Sequence, residues 1–78
     1  MAKRYQIIQE RYEPSVDGPI HDEFPILFGS IEEARIRFKR DGITMFEHEG
    51  DRHYIAELVS YRDGVSFTGR TFEMESTS

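Results

Sequence analysis

An α+β domain, with an antiparallel twisted sheet of four or five strands and one helix packed on one face, is the fold class this 78-residue sequence predicts. Three observations predict it. A capping signal at Ser30 opens one amphipathic stretch. Runs rich in β-branched and aromatic residues flank that stretch on both sides. Asp63-Gly64 joins the last two of those runs as a hairpin signal. A chain of this length closes a single core, so residues 1–78 make one small domain with the element order β-(β)-α-β-β-β.

From Lys3 to Tyr12 the run Tyr5-Gln6-Ile7-Ile8-Gln9-Glu10-Arg11-Tyr12 has neither Gly nor Pro and reads as the first strand. Tyr5 and Ile7 point one way, Ile8 and Tyr12 the other, so both of its faces expect cover. Glu13 to Glu23 carries Pro14, Asp17-Gly18 and Pro19 and reads as a mobile loop. Phe24-Pro25-Ile26-Leu27-Phe28 follows as a candidate second strand. Pro25 lacks an N–H and confines it to a sheet edge or to a strand's start.

Ser30 is placed to cap a helix over 31–41, with Glu33 completing a capping box and Glu32 and Glu33 complementing the positive end of the dipole. Ile31, Ala34 and Phe38 share one stripe. Arg35, Arg37, Lys39 and Arg40 crowd the half where the dipole favours cations, and Gly42 is the left-handed stop. Ile43 to His48 then reads as a strand, joined by a turn at Glu49 to Arg52 to the longest strand, His53 to Tyr61, as a hairpin. Val65, Phe67, Phe72 and Met74 form the last strand, where a change of parity around Gly69 predicts a bulge. Glu75 to Ser78 reads as a frayed tail.

Composition narrows the function. With no cysteine there is no disulfide framework, thiol nucleophile or cysteine-based zinc site, a composition compatible with the cytoplasm. No window approaches the apolar length of a membrane span, and the first residues carry no signal-peptide pattern, so a soluble intracellular protein is expected. Fifteen acids against ten Lys and Arg give a net charge of −5, which disfavours nucleic acid and suits a basic partner.

His48 and His53, with Glu47, Glu49 and Asp51 between and beside them, mark the one place where imidazole and carboxylate could meet on a metal. The spacing matches no established metal motif, and the reading is of polar residues on an acidic hairpin tip. His21-Asp22-Glu23 is read the same way. No nucleophile elbow, phosphate-cradling glycine loop or helix-borne His-Glu pair is present, so neither enzymatic activity nor a cofactor is expected. The cations Arg35, Arg37, Lys39 and Arg40 could join Lys3 and Arg4 as a phosphate patch, but a last helical turn favours cations in any case.

The aromatic excess points elsewhere. One helix covers one face of the sheet, yet both parities of the longest strand are apolar: Tyr54, Ala56 and Leu58 on one side, Ile55, Val59 and Tyr61 on the other. Glu57 shares the side of Ile55 and Val59, where a carboxylate would be costly beneath a helix. The expectation is therefore that Tyr54 and Leu58 face the helix and that Ile55, Glu57, Val59 and Tyr61 face a partner, aided by Glu47, Glu49 and Asp51. In size, acidity and element order the chain resembles the small inhibitor proteins of phages and mobile elements, anti-CRISPR proteins among them, a likeness of overall character that no motif carries. The resemblance implies a non-enzymatic module that occupies a surface of a host protein. The alternatives are a self-associating accessory domain that buries its open sheet face in a homodimer, or a weak nucleic-acid binder acting through the basic helix end.

Overall fold

The computed structural model describes residues 2–74, and the predicted tail 75–78 lies outside them. Four strands, β1 (Ala2–Arg11), β2 (Ile20–Phe28), β3 (Arg52–Tyr61) and β4 (Gly64–Glu73), form one sheet in the order β2-β1-β3-β4, with every neighbouring pair antiparallel. The one helix, α1 (Ile31–Asp41), packs on one face, as the α+β reading requires.

The helix begins where its cap predicts. Ser30 is extended (φ −149°) and its Oγ accepts from the Glu33 N–H at 3.1 Å, while the Glu33 carboxylate accepts from Gly29 N–H at 3.2 Å. At the other end Gly42, at φ 53°, turns the chain and donates its N–H to the Phe38 carbonyl. Ala34 and Phe38 bury the helix against Ile7, Phe24, Phe28 and Ile55, with Ile31, Met45, Phe46 and Phe72 packed around them. Phe24 stacks on Phe28 at 6.4 Å and meets Phe46 edge-on at 6.0 Å.

Two stretches depart from the sequence reading. Ile20–Glu23, expected in the loop, belongs to β2, where Asp22 pairs with Gln9 and His21 with Glu10; Asp22 is held there by Arg11 Nε at 2.7 Å. Pro25 is tolerated because β2 is an edge strand and is bulged at that point, the pairing jumping from Ile8↔Glu23 to Gln6↔Leu27. The segment expected as a strand over Ile43 to His48 is a 3₁₀ turn over Gly42–Met45 followed by bends, so no hairpin precedes β3. Thr44 Oγ donates to the Asp41 carbonyl at 2.6 Å and tightens the chain as it leaves the helix. Met45 and Phe46, neighbours in sequence, both pack toward the core, which strand alternation forbids.

The predicted β3–β4 hairpin forms. Tyr61 pairs with Gly64, so the two turn residues are Arg62 and Asp63 rather than Asp63 and Gly64. Among the described residues positive φ occurs at glycines alone, Gly64 among them, so Arg62 and Asp63 do not form a type I′ turn. The expected irregularity at Gly69 is present: the pairing shifts between Ala56↔Thr71 and Leu58↔Phe67, with Gly69 at φ 91°.

Candidate functional site

Direct pairs in the ladder share a face, so register assigns every strand residue to a side. Ile7↔Ile55, Tyr5↔Glu57 and Gln9↔His53 lie on the side of the helix; Ile8↔Tyr54, Gln6↔Ala56, Arg4↔Leu58 and Leu58↔Phe67 lie on the uncovered side. This reverses the expected faces. Ile55 is fully buried within the helix-packed core, Val59 is buried, and Glu57 is only 3% exposed; of the four residues expected to meet a partner, Tyr61 alone is exposed.

Glu57 misdirected the reading because its burial is compensated by neighbours that β3 itself does not carry. Thr68, on the β4 bulge, donates its hydroxyl to Glu57 Oε1 at 3.0 Å. Arg70 Nη1 lies 3.6 Å and Lys3 Nζ 4.0 Å from Glu57 Oε2. A carboxylate with a hydroxyl donor and two cations is tolerated where an isolated one would be expelled.

The uncovered face carries apolar side chains on all four strands, interleaved with polar ones. Ile8 and Ala56 form its floor, Tyr54 and Leu58 stand half-buried beside them, and Phe67 and Leu27 stand exposed on β4 and β2. Gln6, His21 and Glu23 complete a concavity of about 340 Å³. Ile8 and Ala56 are buried with no helix above them. Both bulges lie beside this concavity, and bulges strengthen strand twist, which curls the flanking strands over its floor. Gln6 Nε2 donates to the Phe24 carbonyl at 3.1 Å, tying the β2 bulge to β1.

A charged network closes one end of this face. Glu10 accepts from Tyr12 Oη at 2.8 Å, lies 3.3 Å from His21 Nε2 and pairs with Arg52 Nη1 at 3.2 Å. Arg52 also grips both oxygens of Glu73, at 3.1 Å from Nε, and lies 4.5 Å over the Tyr54 ring. The Tyr12 hydroxyl, ahead of His21 and Arg52, lowers the pKa of Glu10; the Arg52 guanidinium lowers that of Glu73; burial raises that of Tyr54. These pairings fix the end of the sheet and hold Glu10, Arg52 and Glu73 in contact with one another.

The histidines suggested for metal are kept apart. His53 lies on the helix side, 4.8 Å from the Phe38 ring and 5.7 Å from that of Phe46, with Nε2 2.7 Å from Gln9 Oε1. His48 is exposed, and its carbonyl accepts from Gln9 Nε2 at 2.9 Å. Among the described residues no three His, Asp or Glu side chains come together as a metal-binding set. A second concavity of about 470 Å³ lies along β2, lined by His21, Asp22, Glu23, Pro25, Met45, Phe46, Glu47 and His48. Glu47, Glu49 and Asp51 are exposed on the connection into β3 rather than on a hairpin tip, and Asp51 N–H donates to the Glu10 carbonyl at 2.9 Å.

The phosphate patch is not assembled. Tyr5 pairs with Phe28 just before the helix begins, so Lys3 and Arg4 lie at the end of the sheet where α1 starts, about 15 Å of helix from its basic last turn. Arg37 and Arg40 are turned onto Asp41, whose pKa they lower to about 2, Arg40 contributing most.

Sequence reasoning missed Gln9. It is fully buried and joins β1, the loop before β3 and His53 through one amide, and a glutamine on a strand carries no signal of such a role. Among the described residues no helix is long and apolar enough to cross a membrane. Comparison with protein-family models, with curated proteins and with solved structures returns no match, so the functional reading rests on this geometry.

Proposed function

We propose that the protein is a non-enzymatic protein-binding module that holds a partner's surface against the uncovered, concave face of its sheet. The observation that carries the reading is the apolar cluster of Ile8, Tyr54, Ala56, Leu58 and Phe67, with Leu27 beyond Gln6 at its edge, on the one face with no helix of its own. Aromatic and aliphatic side chains with a polar rim are the composition of a binding patch, and Tyr54 offers both an apolar ring and a hydroxyl. The exposed Glu47, Glu49 and Asp51, with the net charge of −5, steer the module toward a basic surface. It acts by occupancy, as its likeness in size and acidity to small inhibitor proteins suggests.

The test is affinity capture with the purified wild type, Leu58→Lys on the concave face and Arg35→Glu on the helix, each checked for an unchanged thermal midpoint. A partner retained by wild type and Arg35→Glu but lost by Leu58→Lys supports the reading. A partner lost by Arg35→Glu and kept by Leu58→Lys places the binding surface on the helix and overturns it.

A further inference from the structure

The chain carries three Asp-Gly dipeptides, Asp17-Gly18, Asp41-Gly42 and Asp63-Gly64. Each holds the parts of one spontaneous reaction, a carboxyl next to an amide nitrogen that no side chain shields. The glycine nitrogen attacks Cγ of a neutral aspartic acid. An N–Cγ bond forms, the amide proton and the carboxyl hydroxyl leave together as water, and a five-membered succinimide closes. Water then reopens the ring. Breaking the bond from nitrogen to Cγ restores aspartate, whereas breaking the bond from nitrogen to the main-chain carbonyl carbon leaves the backbone running through the side chain as isoaspartate. Water is the only other reactant, and the mass of the chain ends unchanged.

The fold separates the three sites, because the reaction needs a neutral carboxyl, an uncommitted nitrogen and a backbone able to turn. At Asp41 all three are denied. Arg40 holds Oδ1 at 2.9 Å and Oδ2 at 3.1 Å, Arg37 pairs with Oδ2 as well, and Gly42 closes the helix with its N–H on the Phe38 carbonyl. Arg40 and Arg37 keep that acid ionised down to a pKa of about 2. At Asp63 the nitrogen is denied. Gly64 pairs with Tyr61 across a two-residue turn, so its N–H is bound to the Tyr61 carbonyl at the head of the β3–β4 ladder. Asp17-Gly18 is restrained in neither way. Both residues are exposed in the loop beyond the Arg11↔Ile20 pair, and the Val16 N–H bond to the Glu13 carbonyl, at 3.1 Å, stops short of them. Among the described residues neither the Asp17 carboxylate nor the Gly18 N–H has a partner, and Gly18, at φ 90°, has open space around it.

We propose that Asp17 is a modification site, at which this chain converts spontaneously to isoaspartate while the fold protects Asp41 and Asp63, and that the product is a methyl acceptor for isoaspartyl methyltransferases. The loop of residues 12–19 lies outside the ladder and absorbs the added backbone carbon at little cost. None of its residues lines either concavity described above, so the inference is independent of what the sheet face binds.

The test is to age the full chain at physiological temperature in mildly acidic buffer, native and in guanidinium chloride, and to read isoaspartate at each site by electron-transfer mass spectrometry of its peptides. In the native chain Asp17 should gain at least about ten times the isoaspartate of Asp41, whose neutral form is scarcer in proportion, and clearly more than Asp63. Circular dichroism melts before and after should coincide. In guanidinium chloride the three sites should approach one rate. Methyl transfer from S-adenosylmethionine by a purified isoaspartyl methyltransferase should label aged wild type and fall to background in Asp17→Glu, whose side chain would have to close a six-membered ring. Equal isoaspartate at the three native sites, an excess at Asp41 or Asp63, a preference for Asp17 that persists unchanged in guanidinium chloride, or labelling undiminished in Asp17→Glu overturns the proposal.

Discussion

Gly50→Ala should cost this domain far more than a loop glycine normally does, and the reason is Gln9. A methyl group at position 50 would lie well inside van der Waals contact with Cγ, Cδ and Oε1 of Gln9. That side chain is not free to move. It is fully buried, donating to the His48 carbonyl at 2.9 Å and lying 2.7 Å from the His53 ring nitrogen, with a longer contact to Asp22 at 3.4 Å. Overpacking costs about 1–3 kcal/mol, and freeing one buried polar group of its partner a further 1–3 kcal/mol or so, which together point to roughly 2–6 kcal/mol. For a domain of this size each kcal/mol lowers the melting temperature by about 4–8 °C, so a fall of at least ~8 °C is expected. Gly29→Ala is the reference, because its added methyl meets only Glu33 Oε2 at an ordinary 3.6 Å. Chemical denaturation of Gly50→Ala, Gln9→Ala and the double variant completes a cycle in which the double should cost less than the sum, since removing the glutamine relieves the clash. Additive costs, or a Gly50→Ala indistinguishable from Gly29→Ala, would refute the reasoning.

Ile55→Ala should destabilise the fold by about 2–5 kcal/mol as a truncation in the helix-packed core, and Leu58→Ala on the half-buried open face by clearly less; urea denaturation of the pair reads the assignment of faces directly. Ser30→Ala should cost about 1 kcal/mol through loss of the cap to Glu33 N–H, seen as a lowered thermal midpoint with β-sheet content retained. Burial lowers the pKa of His53, so below about 6.5 the unfolded chain takes up a proton that the folded chain refuses, and stability is lost as pH falls toward the folded value. The drop in thermal midpoint between pH 7.5 and 5.5, roughly the window below the ordinary histidine value, should therefore be smaller in His53→Asn than in wild type.

Legibility followed the range of the interaction. The α1 cap and stop, the β3–β4 hairpin and the Gly69 irregularity are settled by residues within a few positions of one another, and all were readable. The strand expected over Ile43 to His48 failed because its β-favouring composition is shared with a segment that does something else. The chain must leave the helix layer and cross β1 to reach the far side of the sheet, and it does so by packing Met45 and Phe46 together under the helix. Where two consecutive apolar residues serve one core, propensity is outvoted by tertiary position, and no local pattern records that.

The candidate site was half legible, for a reason that bears on how such faces are read. Alternation along β3 correctly separated Tyr54, Ala56 and Leu58 from Ile55, Glu57 and Val59, and the argument that one helix leaves one face open was sound. The choice between the faces rested on a single carboxylate taken as unpaired. Its compensating groups sit on other strands: Lys3 at the start of β1, Thr68 and Arg70 on the β4 bulge. A buried charge is excluded from a core only when nothing there can answer it, and the partners that answer it are brought by pairing across the sheet. The bulge at Gly69 that was legible as a break in parity is the device that aims Thr68 at Glu57, so its chemical consequence lay one step beyond the pattern. The same bulge brings Arg70 as well as Thr68 to the Glu57 carboxylate, so the irregularity that breaks the parity of β4 is also what answers the buried acid of β3.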